Sequence, residues 1–103
     1  HAGAVIVSGS QAHYPQGIDF VDSSFIHYGL GNFLFDQMYT YWGMATIDVH
    51  YFYDNQYINT LQYPIINENY GQPRLMNEEE ASLLFEKIYN NSFYYLAETN
   101  DKK

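Results

Sequence analysis

From Ala45 to Tyr53 the chain alternates: Ala45, Ile47, Val49, Tyr51 and Tyr53 share one side, while Thr46, Asp48, His50 and Phe52 share the other. From Tyr57 to Ile65 the set Tyr57, Asn59, Leu61, Tyr63 and Ile65 repeats that alternation. A period of two is the side-chain repeat of a strand, and it excludes a helix over either stretch. Between the two runs stands Asp54-Asn55, a pair that favours turns. These are the arms of one hairpin. A two-residue turn would pair Val49 with Thr60 and Ile47 with Gln62, whereas a three-residue loop through Gln56 pairs Val49 with Leu61 and Ile47 with Tyr63. A slip of one residue sends every side chain to the wrong face, so the longer loop is the expectation.

The rest of the chain supplies elements that pack around this hairpin. Residues 4–8 are a continuous apolar run, expected as a strand buried on both faces, and its abrupt appearance after His1-Ala2-Gly3 reads as a fragment cut at the entrance to that strand. Gln11 to Gly17 reads as a loop, and Ile18–Val21 and Ser24–Leu30 as two strands joined at Asp22-Ser23. Residues 67–76, with Asn67, Asn69, Gly71 and Pro73, read as a linker. Asn77 and Glu80 have capping-box spacing, and Glu78, Glu79 and Glu80 suit the positive end of a helix. Ala81, Leu84, Phe85, Ile88, Ser92 and Tyr95 form its stripe, a helix of about five turns that covers one sheet face and fades past Ala97. Asn100 to Lys103 is expected to fray.

Charge narrows the partners. The 103 residues, enough for one domain, carry a formal charge of -8, and the only basic residues are Arg74, Lys87, Lys102 and Lys103. No basic groove can be assembled, which argues against nucleic acid and anionic lipid. There is no cysteine, hence no disulfide and no thiolate metal site. No apolar run approaches the roughly 18 residues of a membrane span. Aromatic residues make up 19%, which suits sheet packing and also sugar stacking, with Tyr39, Tyr41 and Trp42 the leading candidates for the latter. No Gly-x-Ser-x-Gly elbow and no phosphate-cradling glycine loop with lysine is present.

The strongest local candidate for chemistry is Gly9-Ser10-Gln11-Ala12-His13, a loop at the carboxyl end of a strand, where layered folds commonly place ligands. Asp19, Asp22 and Asp36 could approach one another, although acidic residues at turns normally cap backbone groups. His27 and His50 fall in expected strands, where a hydrogen-bonded structural histidine is the default.

Residues 4–19, an apolar strand running into glycine, Gln11-Ala12-His13 and a second strand, resemble a segment of the bacterial CapA-type family, which serves capsule and poly-γ-glutamate biosynthesis. Ile26-His27-Tyr28-Gly29-Leu30-Gly31-Asn32-Phe33-Leu34-Phe35-Asp36-Gln37 resembles that family's second run. The resemblance implies that residues 1–103 are the C-terminal part of one calcineurin-like metallophosphatase domain, without its N-terminal metal-binding half. The implied fold class is α/β, a fragment of a four-layer α/β/β/α sandwich with mostly antiparallel strands and a C-terminal helix. It implies divalent metal in the parent, Mn, Mg or Zn, held in part by His13, with Gln11 at the position of the family's first histidine; no metal is expected for the fragment alone. Gly31-Asn32-Phe33 lacks the superfamily's histidine and reads as a turn or packing corner. The implied partners are the N-terminal remainder of the domain and an anionic polymer or membrane synthase complex, at the bacterial cell surface. The parent's reaction is left open between phosphoesterase-like hydrolysis and none, and the fragment alone is expected to be inactive. The alternative is an extracellular carbohydrate-binding or purely structural module without catalysis.

Overall fold

The computed structural model describes residues 2–36 and 43–92, so Tyr39, Tyr41 and Trp42, the Tyr95 end of the helical stripe and the C-terminal Asn100 to Lys103 lie outside the described residues. Among the described residues six strands and one helix follow in order: β1 (Ile6–Ser8), β2 (Ile18–Val21), β3 (Ser24–His27), β4 (Met44–Tyr53), β5 (Gln56–Glu68), β6 (Gln72–Leu75) and α1 (Glu78–Asn90). They make two three-stranded sheets, β1-β3-β2 and β4-β5-β6. β1 runs parallel to β3, and all other pairings are antiparallel. This corrects the expected four-layer α/β/β/α sandwich. Among the described residues one helix stands against two sheets, and a single amphipathic stripe can cover only one face.

The hairpin register is Val49 opposite Leu61 and Ile47 opposite Tyr63, as expected, but the extra residue is not in the loop. Tyr53 pairs with Gln56, so the turn is the two residues Asp54-Asn55, with φ of 48° and 59°. Positive φ at both central positions gives the turn whose twist matches that of paired strands. The surplus is absorbed at Ile58, where Tyr51 faces Asn59 and Phe52 faces Tyr57, a bulge in β5. The expected linker is also corrected. β5 runs on to Glu68, Asn69-Tyr70-Gly71 turn with positive φ, and β6 pairs back onto β5. Pro73 is tolerated because β6 is an edge strand.

The sheets are joined by a short bridge in which Gly31 (φ 82°) pairs with Ala45 and the Thr46 amide donates to the Leu30 carbonyl at 2.8 Å. Across this joint the face bearing Phe25 and His27 meets the face bearing Asp48 and His50. The Phe25 ring lies edge-on to those of Phe20 and His50, each 5.6 Å away. A second cluster is built from Met76, Leu84 and Ile88 on and beside the helix, packed against Ile18, Met44 and Ile66 from both sheets. The helix starts as its spacing requires: Asn77 accepts from the Glu80 amide and Glu80 accepts from the Asn77 amide, both at 2.9 Å. At its other end Ser92 donates to the Ile88 carbonyl and accepts from the Ile18 amide, tying the stripe to β2.

β1 departs from expectation. It is an edge strand, and Val5 and Val7 are over 40% exposed instead of buried on both faces. The parallel pairing with β3 accounts for one edge, and no described strand pairs with the other.

Candidate functional site

The loop after β1 turns sharply. A Cβ on Gly9 would overlap the Tyr28 carbonyl, so only glycine lets this strand end lie against β3. Gln11 and His13 both adopt left-handed backbone, with φ of 75° and 63°. For residues with a Cβ that conformation costs on the order of 1–2 kcal/mol each, so neighbouring contacts must hold it.

For His13 the holding group is Asn32. Its Nδ2 donates to the His13 carbonyl at 3.0 Å, and its Oδ1 lies 3.1 Å from His13 Nδ1. The first bond settles which end of the amide is oxygen, since the opposite orientation would put two carbonyl oxygens together. The Nδ1 atom of His13 therefore carries the proton and donates. In the neutral ring this leaves the lone pair on Nε2, the form in which imidazole binds metals and accepts protons. The Phe35 ring packs on the imidazole with centroids 5.3 Å apart. Asn67, buried on β5, donates to the Asn32 carbonyl at 2.6 Å and so fixes the clamp to the second sheet. Asn32, read from sequence as a turn or packing corner, is thus a positioning residue for His13. The turn itself belongs to Gly31.

The other candidates separate. Asp19 is buried, accepts from the Phe20 amide at 2.8 Å and receives the Tyr28 hydroxyl at 3.4 Å. Asp22 occupies the β2–β3 turn with φ 54°, and Asp36 is exposed. The three carboxylates do not converge: among the described residues no group of three or more His, Asp or Glu side chains could hold a metal ion. Nor does the loop have the extended backbone that would aim side chains two apart in one direction, because Gln11 and His13 are both left-handed. The described residues therefore contribute one prepared imidazole and do not by themselves make a metal centre.

A second polar constellation joins the sheets. His27 Nδ1 lies 2.6 Å from Asp48 Oδ2, with both side chains nearly inaccessible, and Gln62 Nε2 donates to Asp48 Oδ1 at 3.3 Å. The Nε2 atom of His27 is buried without a hydrogen-bond partner among the described residues. His50 Nδ1 meets Thr60 Oγ1 at 2.8 Å, and the Tyr57 hydroxyl meets the same oxygen at 2.6 Å. These contacts accord with structural histidines. The Asp48 and Gln62 partners were not legible, because they come from a different sheet 21 and 35 residues away.

Arg74 on β6 reaches Glu68 and, through both terminal nitrogens, Glu80 at the helix start. Those bonds, with the Asn77 amide, hold the Glu80 carboxyl at about 2 and raise the Arg74 guanidinium above its ordinary value. No helix among the described residues is long and apolar enough to cross a membrane.

The search of curated proteins finds no match to this chain. Residues 1–37 match the bacterial capsule synthesis protein family PGA_cap, a segment that contains both His13 and the Asn32 that clamps it.

Proposed function

We propose that this chain is a portion of a bacterial capsule synthesis protein acting in biosynthesis or export of a surface polymer such as poly-γ-glutamate. Its part is a scaffold that presents His13 at the wall of a site completed by other residues. The observation that carries this reading is the His13–Asn32 clamp, in which the two motifs of the matched segment meet and set the imidazole tautomer. On this reading divalent metal, Mn, Mg or Zn, is held by His13, and the remaining ligands come from a partner segment of the same domain. The edge of β1, unpaired among the described residues, supports such docking, as does the recess of about 550 Å³ lined in part by Val7, Val21 and Ile26 together with Asp22 and Ser24. The place of action is the cell surface. Within this scheme the chain's own residues orient the imidazole and keep its Nε2 lone pair outward from Asn32.

The test is replacement of the chromosomal gene in the capsule-forming host. His13→Ala and Asn32→Ala are expected to cut surface polymer by about tenfold or more at unchanged protein level, consistent with loss of a site ligand or of its second hydrogen bond. Wild-type polymer in both variants would remove the reading.

A further inference from the structure

Beside the His13 loop, on the side facing the helix terminus, lies a cavity of about 450 Å³ lined by Tyr14, Pro15, Gln16, Gly17, Tyr28 and Asn91. The volume falls within the roughly 300–1,000 Å³ typical of small-molecule sites. Backbone contacts fix the segments around it. The Gln16 amide donates to the Gly29 carbonyl at 2.9 Å, and the Tyr28 amide to the Gly17 carbonyl at 3.1 Å. Gly17 approaches Asn91 so closely that a Cβ would overlap the Asn91 carbonyl, which presses the helix terminus against the loop. Asn91 is itself held, its Nδ2 donating to the Lys87 carbonyl at 2.8 Å.

The lining has a definite chemistry. Tyr14 and Tyr28 are 45% and 50% exposed, so each ring keeps much of its surface available to a ligand. The face of a phenol ring is electron-rich and attracts weakly positive C–H edges. Gln16 and Asn91 carry amides, and the two phenols carry hydroxyls, groups that both donate and accept. The Tyr28 hydroxyl points to buried Asp19, and Gln16 Nε2 lies 3.5 Å from the Tyr14 hydroxyl. None of the six described lining residues is charged, so among the described residues a phosphate or carboxylate finds no counter-ion there, on a chain whose formal charge is -8. A pyranose answers every feature: its axial C–H face stacks on an aromatic ring, and its vicinal hydroxyls exchange hydrogen bonds with amides.

We propose that the Tyr14–Tyr28 cavity is a binding site for a neutral saccharide of one or a few pyranose units. The proposal rests on the cavity and does not require His13 to act in polymer synthesis. It assigns the stacking to Tyr14 and Tyr28, whereas Tyr39, Tyr41 and Trp42 lie outside the described residues.

The experiment is a ¹H–¹⁵N chemical-shift titration of the full chain with tetrasaccharides of glucose, galactose and N-acetylglucosamine, and with a short poly-γ-glutamate. Saturable shifts at the Gln16, Gly17, Tyr28 and Asn91 amides are expected with at least one saccharide, and none at those positions with poly-γ-glutamate. Tyr14→Ala and Tyr28→Ala should each weaken binding about tenfold, whereas Tyr28→Phe, which keeps the ring, should stay within about threefold. Tyr53→Ala at the hairpin tip should change nothing. If Tyr14→Ala or Tyr28→Ala lowers the melting temperature, Gln16→Ala serves in its place, since it leaves both rings, and about fivefold weakening is expected. The proposal is overturned by an absence of saturable shifts with all three saccharides. It is equally overturned by affinity that survives Gln16→Ala together with both tyrosine truncations, or by poly-γ-glutamate shifting the same amides. The last result would leave the capsule-polymer reading standing and relocate its polymer site here.

Discussion

His27 on β3 and Asp48 on β4 meet at 2.6 Å inside the joint between the two sheets, each with a side chain no more than 3% exposed. Both side chains are shut away from solvent, so each depends on partners inside the protein. Asp48 accepts from Gln62 as well, so the carboxylate is bonded from both sheets. The pair fastens one sheet to the other at a place where the hairpin turns its polar side inward.

Removing one partner strands the other in the interior. Asp48→Leu and His27→Leu are each expected to lower unfolding free energy by on the order of 3 kcal/mol. The double variant His27→Leu with Asp48→Leu should cost less than the sum by at least about 1 kcal/mol, since neither polar group is left behind. Urea denaturation of the four proteins measures it, and strict additivity would show that the contact is not a coupled pair.

Asn32 should govern the tautomer of His13. Ring ¹⁵N shifts in mildly alkaline solution are expected to show Nδ1–H dominant in the wild type, because Asn32 Oδ1 accepts that proton. In Asn32→Ala the Nε2–H form, which free imidazole prefers, should appear, with a stability loss of about 1–3 kcal/mol from the orphaned His13 carbonyl. An unchanged tautomer would mean that Asn32 does not orient the ring.

The bulge at Ile58 makes an unusual prediction for a deletion. Removing Ile58 leaves Tyr53 opposite Gln56 and Phe52 opposite Tyr57, and it closes the gap before Asn59, so Val49 should still face Leu61. Nuclear Overhauser contacts between Val49 and Leu61 are expected to persist, whereas deletion of Asn55 should abolish them by spoiling the turn. Transfer of the Val49 contacts to Gln62 in the Ile58 deletion, the outcome for a surplus residue held in the loop, would refute the assignment.

Acid should loosen the start of the helix through Glu80. Hydrogen bonds from Arg74, and then from the Asn77 amide, hold its folded-state value at about 2 against an ordinary 4.5. A carboxylate depressed on folding contributes stability that is full above the ordinary value and lost as pH falls from 4.5 toward 2. Melting temperature should therefore drop across that window in the wild type and drop less in Glu80→Gln. Parallel curves would show that the group titrates alike in both states. Separately, Asn77→Ala is expected to cost about 1 kcal/mol through the lost cap.

Local chemistry made much of this protein legible. The alternation on both sides of Asp54-Asn55, the turn at Asp22-Ser23 and the Asn77–Glu80 box act through residues within a few positions of one another, and each appears where the sequence places it. The two motifs around His13 and Asn32 were also visible, but as separate features. Only tertiary structure decided that they clasp, because the bonds span 19 residues and depend on Asn67 from another strand. It likewise decided that residues 72–75 pair as a strand, that β1 lies at an edge and that a bulge, not a longer loop, sets the hairpin register. Alternation defines two faces without saying which is buried. Here the face with Asp48, His50 and Gln62 turns inward because His27 and Phe25 of the other sheet supply its partners, while Ile47, Tyr51, Leu61 and Tyr63 remain exposed.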